Sequence, residues 1–363
     1  MESGPRKGFY RQDINKTKWD VPVRYRDLAA VGSGAYGTVC SAQDRLTGER
    51  VAIKKLLRPF QSLVHAKRAY RELRLLKHMK HENVISLLNV FTPDESMETF
   101  QTFYLVMPFI AVDLSRVMRM QRLNHSTIVY LLYQILRGLQ YIHAAGIVHR
   151  DLKPSNLGVN EDYELKILDF GLARPTEFEM TGYVVTRWYR APEVILNWMH
   201  YNHTVDIWSV GCILAEMITG KVLFPGGDYF DELNKIIEVT GSPQPSLINK
   251  MESSHLTQVY LWAAIQQTIP TELVQGHAYS ETDLLEKMLD LDPGTRVNAT
   301  EALAHPYLEE YNDSDPDPTA DKYDDSFESL DLNVHEWKNL LYLSILQSLQ
   351  AGTVKTCSTE LNQ

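Results

Sequence analysis

Apolar and polar positions alternate through the first third of the chain. VRYRDLAAVGSGAYGTVCSAQ and ERVAIKKL are rich in β-formers and broken by glycines, which predicts hairpins. Over residues 62–80 the period lengthens, and Ala66, Ala69, Leu73 and Leu76 fall on one helical stripe. Glu72 borders that stripe; the segment alone leaves open whether its carboxylate is solvated or paired. TFYLVM at 102–107 predicts another strand, and Ile128, Leu131, Leu132, Ile135, Leu139 and Ile142 mark a long amphipathic helix. A loop, VHRDLKPSN, comes next, followed by the strand ELKILDF. The remainder reads as mainly helical, including VDIWSVGCILAEMITG. Residues 242–280 carry scattered Pro, Gly and polar residues and read as an irregular insertion. Residues 333–349 regain helical spacing at Trp337, Leu341, Ile345 and Leu349, which suits packing back onto the body. This order predicts a small β-rich lobe, then a larger helical lobe, with a crevice between them.

The 363 residues leave room for one large domain or two lobes. With 44% hydrophobic and 23% charged residues the composition is that of an ordinary globular protein. Cys40, Cys212 and Cys357 have no metal-like spacing, which points to a reducing compartment. MESGPRKGFY lacks the apolar stretch of a signal peptide, and no run of about 18 apolar residues suggests a membrane span. A net charge of −10 argues against a general nucleic-acid binder and leaves room for basic protein partners. No function follows from composition.

The chemistry lies in a series of short motifs. Gly32-Ser33-Gly34-Ala35-Tyr36-Gly37-Thr38-Val39 has G-x-G-x-x-G-x-V spacing, whose glycines let backbone amides approach phosphates. Taken alone it is as readily a plain hairpin, and the spacing also occurs in dinucleotide-binding folds. Those should open a helix, whereas this loop runs into the β-rich VCSAQ. Val51-Ala52-Ile53-Lys54 then places a lysine on a strand within reach of phosphates, and Glu72 can pair with it. His149-Arg150-Asp151-Leu152-Lys153-Pro154-Ser155-Asn156, Asp169-Phe170-Gly171 and Ala191-Pro192-Glu193 follow. Asp151 or Asp169 alone could be a capping or surface carboxylate; the ordered set is specific.

In this order and context the sequence resembles the eukaryotic protein kinases over almost its whole length. The resemblance implies an α+β bilobal kinase fold, with a small β-rich N-lobe (about 25–107), a hinge (107–112) and a large helical C-lobe (113–308). Residues 1–24 and 309–363 would be extensions. It also implies ATP and magnesium as cosubstrate and cofactor. Phosphoryl transfer through a loose transition state asks the protein chiefly to position groups and neutralise charge. Val31 to Val39, Ala52 and Lys54 would hold the nucleotide, with Glu72 fixing Lys54. Asn156 and Asp169 would offer oxygens to magnesium, a hard cation. Asp151 would orient the acceptor hydroxyl and take its proton, while Lys153 steadies the transferring phosphate. Met107-Pro108-Phe109 stands where the family has its hinge, which implies adenine bonding around Met107 and Phe109, with Met107 bordering a back pocket.

Between Asp169 and Glu193 stands Thr181-Gly182-Tyr183, then VVTRWYRAPE. Here the chain is similar to the mitogen-activated protein kinases, in particular their stress-activated subgroup. GFYRQ, RPFQS at 58–62, RAYRELRLLKHM at 68–79 and DIWSVGCI at 206–213 extend the likeness. It implies a serine/threonine kinase acting before proline and activated by phosphorylation of Thr181 and Tyr183, which adds roughly −3 to −4 charges. Arg68, Arg71 and Arg150 would collect phospho-Thr181, and Arg187 and Arg190 phospho-Tyr183. Residues 309–328 hold nine acidic side chains against Lys322 alone. Asp313 and Asp315 match the family's docking aspartates. Asp317 stands in beyond Pro316, and Glu161 and Asp162 match the neighbouring acidic pair. The implied partners are an upstream dual-specificity kinase, and substrates and phosphatases with basic docking peptides. No nucleic acid or membrane is implied, and the chain would be a monomer of cytoplasm and nucleus. The largest departure from the family spans residues 261–283, where only the following LLEKML is intact. Two rival readings are a docking scaffold without catalysis, which the intact Lys54, Glu72, Asp151, Asn156 and Asp169 oppose, and a dinucleotide-binding enzyme, which the missing βαβ unit opposes.

Overall fold

The alternating N-terminal segments build antiparallel sheets. The computed structural model describes residues 4–34, 37–175, 187–196, 202–248, 279–311 and 320–360. Strands β1 (Phe9–Ile14) and β2 (Thr17–Pro22) form a hairpin. Asn15 and Lys16 turn it with φ of 48° and 63°, the two positive values that a tight hairpin needs to match the strand twist. Strands β3 (Tyr25–Gly34), β4 (Gly37–Asp44) and β5 (Arg50–Leu56) follow, then helix α1 (Leu63–His78), β6 (Asn89–Phe91) and β7 (Tyr104–Pro108). The sheet order is β3-β4-β5-β7-β6, antiparallel throughout. One face buries Tyr25, Val51, Ile53, Tyr104 and Val106 with Trp19 and Val21 of the hairpin. The Phe91 and Tyr104 rings stack 4.7 Å apart within it.

The later chain is mostly helical. It contains β8 (Val112–Asp113), α2 (Leu114–Met120), α3 (His125–Ala144), β9 (Ile147–Val148), β10 (Leu157–Val159), β11 (Leu165–Ile167) and β12 (Arg174–Pro175). After these come α4 (Pro192–Ile195), α5 (Thr204–Thr219), α6 (Tyr229–Thr240), α7 (Pro245–Ile248) and two further helices, Tyr279–Met288 and Ala299–Leu303. Helix α3 is the predicted amphipathic helix, and its six named apolar residues are all buried. Part of the expected irregular insertion is ordered as α7 and the start of Tyr279–Met288; residues 249–278 lie outside the described residues.

Contacts divide the chain into two compact units. Residues 81–84 and 111–323 form the helical unit. The β-rich unit comprises 1–80, 85–110 and, returning from the far end of the sequence, 324–363. The helix Val334–Glu360 runs beyond the predicted stretch and packs on α1. Trp337, Leu341 and Ile345 are buried as the spacing predicts, whereas Leu349 is 36% exposed and departs from it. Tyr70 of α1 meets Trp337 at 5.5 Å and Phe327 edge-on at 5.1 Å, the kind of aromatic cluster that fixes two elements against each other.

Candidate active site

In the β-rich unit the glycine motif forms the β3–β4 turn, with Gly34 opposite Gly37. Ala35 and Tyr36 lie outside the described residues. A Cβ at Gly37 would stand 2.8 Å from the Lys55 carbonyl oxygen, so only glycine fits there. At Gly32 and Gly34 no atom would stand within 4 Å, leaving their backbone open to a bulky anion. Lys54 sits opposite Val39 on one side and Leu105 on the other. Strand alternation turns Val51 and Ile53 to the core and Ala52 and Lys54 to the other face. Lys54 Nζ and Glu72 Oε1 are 2.6 Å apart. The question left open by α1's stripe is thereby answered: Glu72 is buried at 4% exposure and paired. Ser62 caps that helix, its Oγ accepting from the His65 amide at 3.4 Å.

Met107 lies opposite Ala52 at the end of β7. The Phe109 amide donates to the Arg50 carbonyl at 3.4 Å, and the Arg50 guanidinium covers its ring at 4.5 Å. The expectation that Phe109 bonds adenine is therefore narrowed: its N–H is engaged within the β-rich unit, and its carbonyl is the group that remains.

In the helical unit, VHRDLKPSN forms the loop between β9 and β10. Asp151 Oδ2 receives Lys153 Nζ at 2.8 Å and Asn156 Nδ2 at 3.0 Å. Asn156 Nδ2 also donates to the Asp151 carbonyl at 2.8 Å. Both bonds use the Asn156 nitrogen, which leaves its side-chain carbonyl oxygen as the atom that could face a cation. Asp169 has φ 58° and ψ 84°, and its Oδ1 accepts from the Gly171 amide at 3.1 Å. A non-glycine residue held there costs about 1–3 kcal/mol, strain of the kind that gathers at functional sites. Within the helical unit the donors Asn156 and Asp169 are oxygen ligands, the kind that magnesium takes; within the β-rich unit the open glycine backbone and Lys54 suit phosphates.

Several further residues support this loop. His149 Nε2 lies 2.8 Å from the Leu168 carbonyl, and its ring meets Phe170 edge-on at 5.3 Å. The Asp206 carboxylate accepts from the amides of both His149 and Arg150 and lies 2.9 Å from His143 Nε2. Burial would raise the Asp206 pKa, yet the His143 contact, the charge interaction with His149 and the Arg150 amide hold it below the ordinary carboxylate value. Sequence reasoning noted DIWSVGCI without giving Asp206 a role; its only signal was a carboxylate at the start of an otherwise apolar helix.

The activation segment begins and ends within the described residues, but Thr181 and Tyr183 lie outside them. At its end, Arg187 Nη2 donates to the Gly227 carbonyl at 3.1 Å and Trp188 Nε1 to the Gly226 carbonyl at 3.0 Å. The Tyr189 hydroxyl bonds Glu216 Oε2 at 2.5 Å, and the Arg190 amide donates to the Arg187 carbonyl at 2.9 Å. Glu193, from the APE triplet, makes a two-pronged ion pair with Arg296 at 2.6 and 3.0 Å, and both side chains are 0% exposed. Sequence reasoning missed Arg296.

Of the arginines expected to gather a phosphate, Arg71 is already engaged. Its guanidinium forks onto Glu328, with Nη2 to Oε2 at 2.7 Å, and Lys67 Nζ joins at 3.3 Å. In this arrangement Arg71 is buried and holds a carboxylate of its own unit, a partner that the motif could not reveal. Of the docking residues, Glu161 and Asp162 are exposed on the β10–β11 turn. Asp313, Asp315 and Asp317 lie outside the described residues.

The protein kinase domain family matches residues 25–308, and the chain is a protein kinase whose β-rich and helical units are the two lobes of that fold. It is 59% identical over 350 residues to mitogen-activated protein kinase 12 of Rattus norvegicus, covering 95% of each chain. It is 58% identical over 349 residues to mitogen-activated protein kinase 12 of Homo sapiens, again covering 95% of each. Against mitogen-activated protein kinase 14 of Xenopus laevis the identity is 57% over 349 residues, 94% of this chain and 95% of that one. The chain belongs to the mitogen-activated protein kinases and is a serine/threonine kinase.

Proposed function

We propose that this kinase transfers the γ-phosphoryl group of ATP to Ser or Thr followed by Pro, in stress signalling, under control of phosphorylation at Thr181 and Tyr183. The observation that carries the reading is the bonding of Asp151: Lys153 and Asn156 fix one carboxylate oxygen, at 2.8 and 3.0 Å. The magnesium nucleotide supplies the phosphoryl group and the cation that offsets its charge. Asp151 orients the acceptor hydroxyl and takes its proton. Lys153 neutralises charge on the moving group, Lys54 aligns the phosphates, and Glu72 keeps Lys54 in place. Asn156 and Asp169 hold the metal.

The regulatory part rests on charge. Arg68 and Arg150, with Arg71 if it exchanges Glu328 for a phosphate, would bind phospho-Thr181, which presents three acceptor oxygens. Arg187 and Arg190 would receive phospho-Tyr183. Asp313, Asp315 and Asp317, with the exposed Glu161 and Asp162, would recruit basic linear peptides from an upstream kinase, substrates and phosphatases. The protein would act as a monomer in cytoplasm and nucleus.

The test is peptide kinetics on the unmodified, two singly modified and doubly modified forms with a Ser-Pro substrate. Activity should rise by orders of magnitude in the doubly modified form. Equal rates across all four would remove the switch, and no turnover in any form would favour a docking scaffold.

A further inference from the structure

Helix α6 carries a carboxylate that its surroundings barely satisfy. Glu232 is 0% exposed. Its Oε2 accepts the Gly226 amide at 2.9 Å, while its buried Oε1 has no hydrogen-bond partner among the described residues. The fit is close, since a Cβ on Gly226 would lie 2.3 Å from Oε2 and 2.6 Å from the Glu232 backbone. The turn so gripped is also the one that anchors the activation segment. The Gly226 carbonyl takes the Trp188 indole N–H, and the Gly227 carbonyl takes Arg187. Arg187 further lies 4.9 Å over the Tyr229 ring.

We propose that Glu232 is a positioning residue for the acceptor peptide, acting through the turn at 226–227 on Arg187 and Trp188. This rests on the proposed function, a Ser or Thr followed by Pro as acceptor, and on VVTRWYR resembling the loop that forms the family's proline-accepting pocket. The protonated form is the one that fits. A buried carboxylate with a single N–H donor is poorly solvated, whereas the neutral carboxyl group keeps the Gly226 bond and carries no charge to desolvate.

The groups facing Glu232 do not overturn this. Burial is the first cause that pushes it up to about 7, and the Gly226 amide and Arg187 pull only partly against it. Asp231 and Lys235 of α6 oppose each other, and the Cys212 thiol of α5 is itself raised by burial. Because the folded value exceeds that of a free glutamate, the gripped turn is favoured at low pH. Above about pH 7 it loses a factor of about ten per unit relative to an opened turn with Glu232 hydrated.

The experiment uses the doubly phosphorylated protein and a Ser-Pro peptide. If the competent form follows the protonated fraction, KM for peptide rises by up to about tenfold between about pH 6 and pH 8, a change that appears in KM and not in kcat. Glu232→Gln, which keeps the shape and is uncharged at every pH, should hold KM flat at the wild type's low-pH value. Hydrogen exchange at the Gly226 and Gly227 amides, corrected for its intrinsic pH dependence, should show protection lost with rising pH in the wild type alone. A flat wild-type KM, or a slope that survives Glu232→Gln, overturns the inference. So does pH-independent protection at 226–227, whatever the kinase activity. Absence of turnover would sink the proposed function instead, and the exchange measurement would still decide the role of Glu232.

Discussion

The amide of Arg150 donates to Oδ1 of Asp206 at 2.8 Å, across 56 positions of sequence. The other oxygen of the same carboxylate takes the His149 amide, also at 2.8 Å. Arg150 has φ of 70°, a conformation an arginine adopts only when its surroundings impose it. Asp206 is buried at 0% exposure and supplies that constraint. The residue before Asp151 is thus held by a helix far along the chain.

Replacing Asp206 by Asn should turn an amide donor toward backbone donors. The expected loss of stability is about 1–3 kcal/mol. Displacement of the loop should lower kcat by about a hundredfold. Thermal unfolding and steady-state kinetics check both. Lowered stability with unchanged kcat would make Asp206 a packing residue only.

Asp151→Ala should lower kcat by about 10²- to 10⁴-fold, the usual contribution of a positioned base. Nucleotide affinity should change little, since the proposed role of Asp151 is to orient the acceptor hydroxyl, while Lys54 and Asp169 hold the nucleotide complex. Calorimetric nucleotide binding alongside turnover makes the comparison. Turnover within a few-fold of wild type would reject Asp151 as the base.

Much of this site was legible in the sequence because its signals are local. The strand–lysine motif, the loop from His149 to Asn156 and the triplet at Asp169 each put several functional atoms within a few residues. The helix stripe put Glu72 at the edge of a buried face, and its pairing with Lys54 needed only the strand register. Partners distant in sequence left no such signal. Glu328 lies 257 positions from Arg71, Arg296 lies 103 from Glu193, and either acid taken alone reads as a surface residue. Phe109 differs in kind: the motif marks where the family has its hinge, but that the Phe109 amide faces the Arg50 carbonyl depends on strand register, which the motif does not encode.

The Glu193–Arg296 pair should be costly to break and easy to replace. Arg296→Met alone leaves a buried carboxylate without its partner and should cost about 3–5 kcal/mol. Combining it with Glu193→Leu should recover most of that loss. Denaturant unfolding of the two single variants and the double variant measures the coupling. Additive effects would show that the pair does not act as a unit.

Glu328 links the β-rich unit to acid. Burial would raise its pKa, but Arg71 and Lys67 more than reverse this and leave it depressed. A depressed carboxylate contributes stability that is present above the unfolded value of about 4.5 and lost as pH falls through the folded value. Wild type should therefore lose stability on acidification below about 4.5 more steeply than Glu328→Gln. Urea midpoints taken down the pH series test this, and parallel curves would count against the linkage.

The return of residues 324–363 to the first unit has a consequence for biosynthesis. A ribosome releases the chain from its N-terminus, and domains usually fold in that order. Here the helical unit, closing at Tyr323, is complete before the β-rich one that precedes it. While the middle of the protein is being made, Tyr70 waits for Phe327 and Trp337, and Arg71 for Glu328. For most of translation α1 therefore presents an apolar face and a buried-type arginine without their partners. A nascent chain stalled before Phe327 is the species on which chaperones of the synthesis machinery should be found.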